Sequence, residues 1–190
     1  MHRRDLLKAS AGAGAAGALP GFAIAQPAQN RVMKMVPQAN LTSLDPIWTT
    51  ANITRNHGHM IYDTLYGMDA QFVPQPQMAA GHVLEDGGKI VTSRLRPGLK
   101  FHDGEPVRAQ DVVPSLQRWM RRNPFGQKLA SLTDALEVVD DTTLRFRLKR
   151  AFPMIFAALA QVSNSPAFIM PARIAATDAF TQIREAVGSG

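Results

Sequence analysis

Around residue 102 the chain reads Phe101-His102-Asp103-Gly104-Glu105, which sets an imidazole beside one carboxylate and three residues from another. Such groups can ligate a metal ion or relay protons in acid–base catalysis. The local pattern points elsewhere. Asp103-Gly104 is a strong turn dipeptide, in which the aspartate side chain bonds the backbone two residues on. His102 follows Phe101 on a short extended stretch and is expected on the opposite face, and no second histidine or carboxylate at ligand spacing occurs on the next helix. The cluster is therefore expected to bend the backbone. His57, His59 and Asp63 raise the same question. Residues i and i+2 on a helix point well apart, so the two histidines cannot share one ion there, and no metal site is expected.

The elements that would carry these groups follow from hydropathy. Arg31 to Val36 reads as a first strand closed by Pro37, and Asn52 to Tyr66 as a helix ending at Gly67. The stretch from Phe72 to Met78 holds two prolines and reads as a loop. Lys89 to Leu95 alternates as a strand, and Leu99 to Phe101 forms a short return strand after the Pro97-Gly98 turn. From Ala109 to Met120, the residues Val112, Leu116, Trp119 and Met120 share one helical face. A hairpin joins Leu136–Val139 to Thr143–Leu148 through Asp140-Asp141. A short helix over Met154–Leu159, a strand over Ala167–Met170 and a helix opened by Pro171 complete the order.

The chain has 190 residues, 45% hydrophobic and 19% charged, a globular composition for one domain or part of a larger protein. It has no cysteine, which excludes disulfides, thiolate metal sites and cysteine nucleophiles. Residues 1–25 read as an export signal. Arg3, Arg4 and Lys8 precede an Ala/Gly-rich stretch that closes on Ala23-Ile24-Ala25, a small-x-small cleavage pattern. Paired arginines followed by Leu6 and Leu7 resemble a twin-arginine signal, the alternative being a general secretory one. Lys and Arg number 21 and Asp and Glu 15; without three bases and one acid of the signal, 18 and 14 remain, and net charge falls from +6 to +4. The bases are scattered, so no nucleic-acid partner is expected.

The run LRPGLKFHDGEPVRAQDVVPSLQRW, from Leu95 to Trp119, resembles the signature of the extracytoplasmic solute-binding proteins of family 5, receptors of ABC importers for peptides, nickel and glutathione. Further landmarks keep that family's order: LTSLDP from Leu41, YDTLYGMD from Tyr62, EDGGKI from Glu85, LEVVDDTTLRFRL from Leu136 and the terminal VGSG. The chain departs from the pattern at Arg108, where a threonine would cap the helix, and at Pro114 inside that helix. Ser93 stands in place of an aromatic residue and His82 in place of a tryptophan.

The resemblance implies a mixed α/β chain: the N-terminal part of a type II periplasmic-binding-protein fold, with an incomplete first lobe and no second lobe. It divides the chain into a signal over 1–25, the first strand of lobe I over 26–47, an inserted subdomain over 48–165 and a truncated return to lobe I over 166–190. It also implies a ligand cleft lined by Trp48, Thr49, Thr50 and Asn52, a peptide or small solute as ligand, a membrane ABC permease as partner, a monomer in the periplasm, and no cofactor or bond chemistry. Two rivals stand beside it. One is an inactive truncated remnant without ligand. The other is an exported hydrolase, for which no GxSxG, HExxH or convergent acidic pair is found.

Overall fold

In the computed structural model, residues 34–189 are described. The export signal and most of the strand expected over 31–36 lie outside the described residues; Lys34 to Val36 are exposed and not in a strand.

Four antiparallel strands form the centre: β3 (Ala79–Glu85), β4 (Ile90–Leu95), β6 (Thr143–Leu148) and β5 (Thr133–Asp140), in that spatial order. Alternation explains the two middle strands. Val91, Ser93 and Leu95 on β4, and Leu144, Phe146 and Leu148 on β6, turn to one buried face, while Arg94 and Arg147 are exposed on the other. The pairing Val91↔Phe146 and Ser93↔Leu144 keeps the apolar rows aligned. A second, two-stranded sheet pairs β1 (Tyr66–Met68) with β2 (Pro74–Pro76).

The buried sheet face is covered by helix α2 (Ala109–Arg122), which also packs against α3 (Pro124–Leu132) and α5 (Ala172–Ala175). Helices α1 (Asn52–Gly58) and α4 (Ile155–Leu159) complete the set among the described residues, with a 3-10 turn at Asp86–Gly88. Leu116 and Trp119 are fully buried, and each such side chain contributes on the order of 2 kcal/mol by leaving water. As the sequence implied, Arg108 provides no side-chain cap. The backbone N–H of Arg108 instead donates to the Asp111 carboxylate at 2.9 Å, and the other oxygen of Asp111 accepts from the Ala172 N–H, tying the starts of α2 and α5 together.

Several expectations need correction. The helix from Asn52 stops at Gly58 instead of Gly67, because the chain must bring Tyr62, Leu65 and Tyr66 all inward. Gly58 also makes room for Phe168: a β-carbon there would lie 3.0 Å from that ring. The proline-containing loop contributes β2, an edge strand on which missing N–H donors face away from the pairing. Leu99–Phe101 is not a strand but a single bridge, Lys100 to Pro106. Ala167–Met170 is buried yet makes only the bridge Phe168–Thr64. The sequence reading also missed α3 and β3.

Candidate functional site

Asp103 behaves as its turn requires. Its Oδ1 accepts from the Glu105 N–H at 3.1 Å, and Gly104 takes φ +89°, open to glycine. Oδ2 meets Arg173 at 3.0 Å, and Arg173 also meets Glu185. The bond from Glu105 and the neighbouring guanidinium hold the Asp103 carboxyl below its usual pKa. Phe101 is buried and His102 exposed, as the alternation implied. His59 packs edge-on against Phe168, and among the described residues no three His, Cys, Asp or Glu side chains gather as a metal site.

The polar centre of the molecule lies instead at Asp45 and Arg118, whose side chains meet at 2.6 Å. Asp45 is 0% exposed and Arg118 3%. Asp45 Oδ1 accepts from the N–H groups of Ile47 and Trp48, each at 3.0 Å, which closes a turn over Pro46. Its Oδ2 accepts from Arg118 and from the Ile183 N–H. Arg118 spends further donors on the carbonyls of Thr177, Asp178 and Thr181. A buried carboxylate and guanidinium tolerate the interior only with such compensation. The pair therefore fixes three segments at once: the loop after Asp45, α2, and the chain beyond α5.

That loop and the first residue of α1 carry the four residues named from the sequence. Trp48 is 38% exposed, Thr50 and Asn52 are exposed and Thr49 is half-buried. Thr49 Oγ1 accepts from the Ala51 N–H at the start of α1, and the Thr49 carbonyl accepts from the Ser165 hydroxyl. Ser165 is held in turn, its carbonyl accepting from Trp119 Nε1 at 2.8 Å and from Asn123 Nδ2 at 2.9 Å. Residues 48–52 thus present an aromatic ring and three polar side chains on a stretch tied by hydrogen bonds to Asp45 and Ser165. Two open cavities lie elsewhere, one of about 420 Å³ between α2 and residues 175–179 and one of about 400 Å³ on the outer sheet face.

Missed in the sequence were Arg118 and Arg122. Arg122 donates to the Trp48 carbonyl at 2.6 Å. The two departures His82 and Ser93 prove to be neighbours, paired across β3 and β4. The Tyr66 hydroxyl lies 2.9 Å from Ser93 Oγ and 3.3 Å from His82 Nδ1, and the His82 ring stacks on Phe156 at 3.8 Å. Burial lowers the pKa of His82 and raises that of Tyr66.

An α/β chain of this topology has known counterparts. Residues 73–190 match the family model of bacterial extracellular solute-binding proteins, family 5 (middle), and the chain belongs to that family. Residues 1–20 match the twin-arginine translocation signal, so the protein is exported to the periplasm. A probable peptide ABC transporter periplasmic-binding protein, y4tO of Sinorhizobium fredii, is 38% identical over 192 aligned positions, covering all of this chain and 35% of the relative. The glutathione-binding protein GsiB of Pectobacterium atrosepticum is 30% identical over 136 positions, 70% of this chain and 25% of that one. Among solved structures, the binding protein MoaA in complex with mannopinic acid, from A. tumefacien R10, superposes with a TM-score of 0.66 at 30% identity, covering 78% of this chain and 31% of the other. The fold is accordingly part of the type II periplasmic-binding-protein fold. The chain spans about a quarter to a third of the length of the curated relatives it matches.

Proposed function

We propose that this protein is the periplasmic substrate-binding component of an ABC importer for peptides or similar small solutes. Trp48, Thr49, Thr50 and Asn52 supply one wall of its ligand cleft. The relatives' names support the role: one is a probable peptide ABC transporter periplasmic-binding protein and the other a glutathione-binding protein. The observation that carries the reading is the mount of the loop. A fully buried ion pair and its bonds hold Trp48 partly exposed, a pre-organised aromatic surface that costs little further entropy on binding. In this reading the chain makes and breaks no bonds and needs no cofactor. It acts as a monomer that delivers its ligand to a membrane permease, and the importer's ATPase supplies the energy. The same reading assigns 26–47 and 166–190 to one lobe and 48–165 to its insertion, residues 26–33 and 190 lying outside the described residues.

Calorimetric titration with dipeptides, glutathione and mannopinic acid tests the proposal. Saturable binding of at least one, weakened about tenfold by Trp48→Ala through loss of buried aromatic area, is the expected result. No saturable binding of any of them would overturn it.

A further inference from the structure

Helix α2 ends in two consecutive arginines whose surroundings differ. Both guanidinium groups lie over the ring of Phe180, 59% exposed, at 5.4 Å for Arg121 and 4.9 Å for Arg122. Arg121 is neutralised by Asp178 at 3.0 Å. Among the described residues no carboxylate lies within ion-pair distance of Arg122, whose hydrogen bond goes to the uncharged carbonyl of Trp48. The helix terminus accounts for a favourable setting for both cations. It does not account for the reach of Arg122 across to the binding loop.

A guanidinium carries five N–H donors in a planar fork, and one carbonyl uses one of them. The ring of Phe180 on one side and the Trp48 carbonyl at an edge fix the plane of the Arg122 fork, which lowers the cost of a second, charged partner. The Trp48 carbonyl that Arg122 engages belongs to the loop that carries the partly exposed Trp48 ring and, next in the chain, Thr49 and Thr50, while the exposed Phe180 ring lies against the same guanidinium. A carboxylate matches the fork in charge and shape and forms paired bonds with it.

We infer that Arg122 is a specificity-determining residue that receives the carboxylate of the solute, whose apolar part packs on Trp48. This deepens the solute-binding role proposed above and rests on it.

The chain has two tryptophans. Trp119 is fully buried, so ligand-induced change in emission reports on Trp48. The 190-residue chain is titrated with the dipeptide Ala-Phe and with its C-terminal amide. The acid is expected to bind about tenfold more tightly than the amide, as a charge-assisted pair implies. In Arg122→Gln the two should bind alike at the amide's level, whereas Arg94→Gln, on the outer sheet face, keeps the preference. Equal binding of acid and amide by the parent chain, or a preference that survives Arg122→Gln, overturns this inference and leaves the solute-binding role intact. Binding of neither probe, nor of any ligand in the calorimetric panel, overturns both.

Discussion

Asp45 is the residue on which the others depend. Its two oxygens accept from Ile47, Trp48, Ile183 and Arg118, so deleting the carboxylate leaves a buried guanidinium without its counter-charge. Asp45→Ala is expected to destabilise the domain by about 3–5 kcal/mol, the range for breaking one half of a buried pair, as read from urea unfolding. Replacing both partners, Asp45→Leu with Arg118→Met, should cost less than Asp45→Ala, because no orphan charge remains. A double variant as unstable as the single one would show that the hydrogen bonds, not the charges, dominate. Sequence gave no sign of this pairing. The two residues lie 73 positions apart, and a single arginine on a helix reads as solvated. Trp48, Thr49, Thr50 and Asn52 are proposed only through family resemblance, since their residue types carry no spacing of their own.

Among the elements, α2 and the β5–β6 hairpin were legible because one face of each is apolar at the proper period. Val112, Leu116, Trp119 and Met120 mark the helix, and Leu144, Phe146 and Leu148 the strand. Amphipathic reasoning stopped short on α2, which also buries Asp111, Ser115 and Arg118 on its flank. Strand β3 was invisible for the opposite reason. His82, Val83 and Leu84 are all exposed on an edge, so no alternation develops. Helix α3 opens Pro-Phe-Gly, a sequence that discourages a helical reading. Asn123 overcomes this by accepting from the N–H groups of Phe125 and Gly126, and Gly126 lets the backbone pass Met120, where a β-carbon would sit 2.8 Å from its Cα. Pro114 remains unfavourable within α2. It cannot donate to the Gln110 carbonyl, yet the helix runs through it unbroken. Pro114→Ala is therefore expected to stabilise the domain by about 1–3 kcal/mol, the helix gain less the entropy that proline removes from the unfolded chain. A lower urea midpoint for the alanine variant would refute this.

At the scale of the whole molecule, stability should depend on pH through two histidines. Burial lowers the pKa of His59, partly offset by its bond to the Val162 backbone, and burial also lowers that of His82. The unfolded chain, with imidazoles near 6.5, then binds more protons than the folded one just below that pH. Stability is full above about pH 6.5 and declines as pH falls through it towards the folded values. Urea midpoints at pH 7.5 and 5.5 should differ in that direction, and the difference should shrink in the double variant His59→Gln, His82→Gln. An unchanged difference would assign the effect to other groups.

The closing of the Asp45 shell by the amide of Ile183, 138 residues downstream, also sets an order of events during synthesis. Until residue 183 has been synthesised, the carboxylate lacks one of its four donors and Arg118 lacks the Thr181 carbonyl. That timing suits a leader of the kind that conducts already folded cargo.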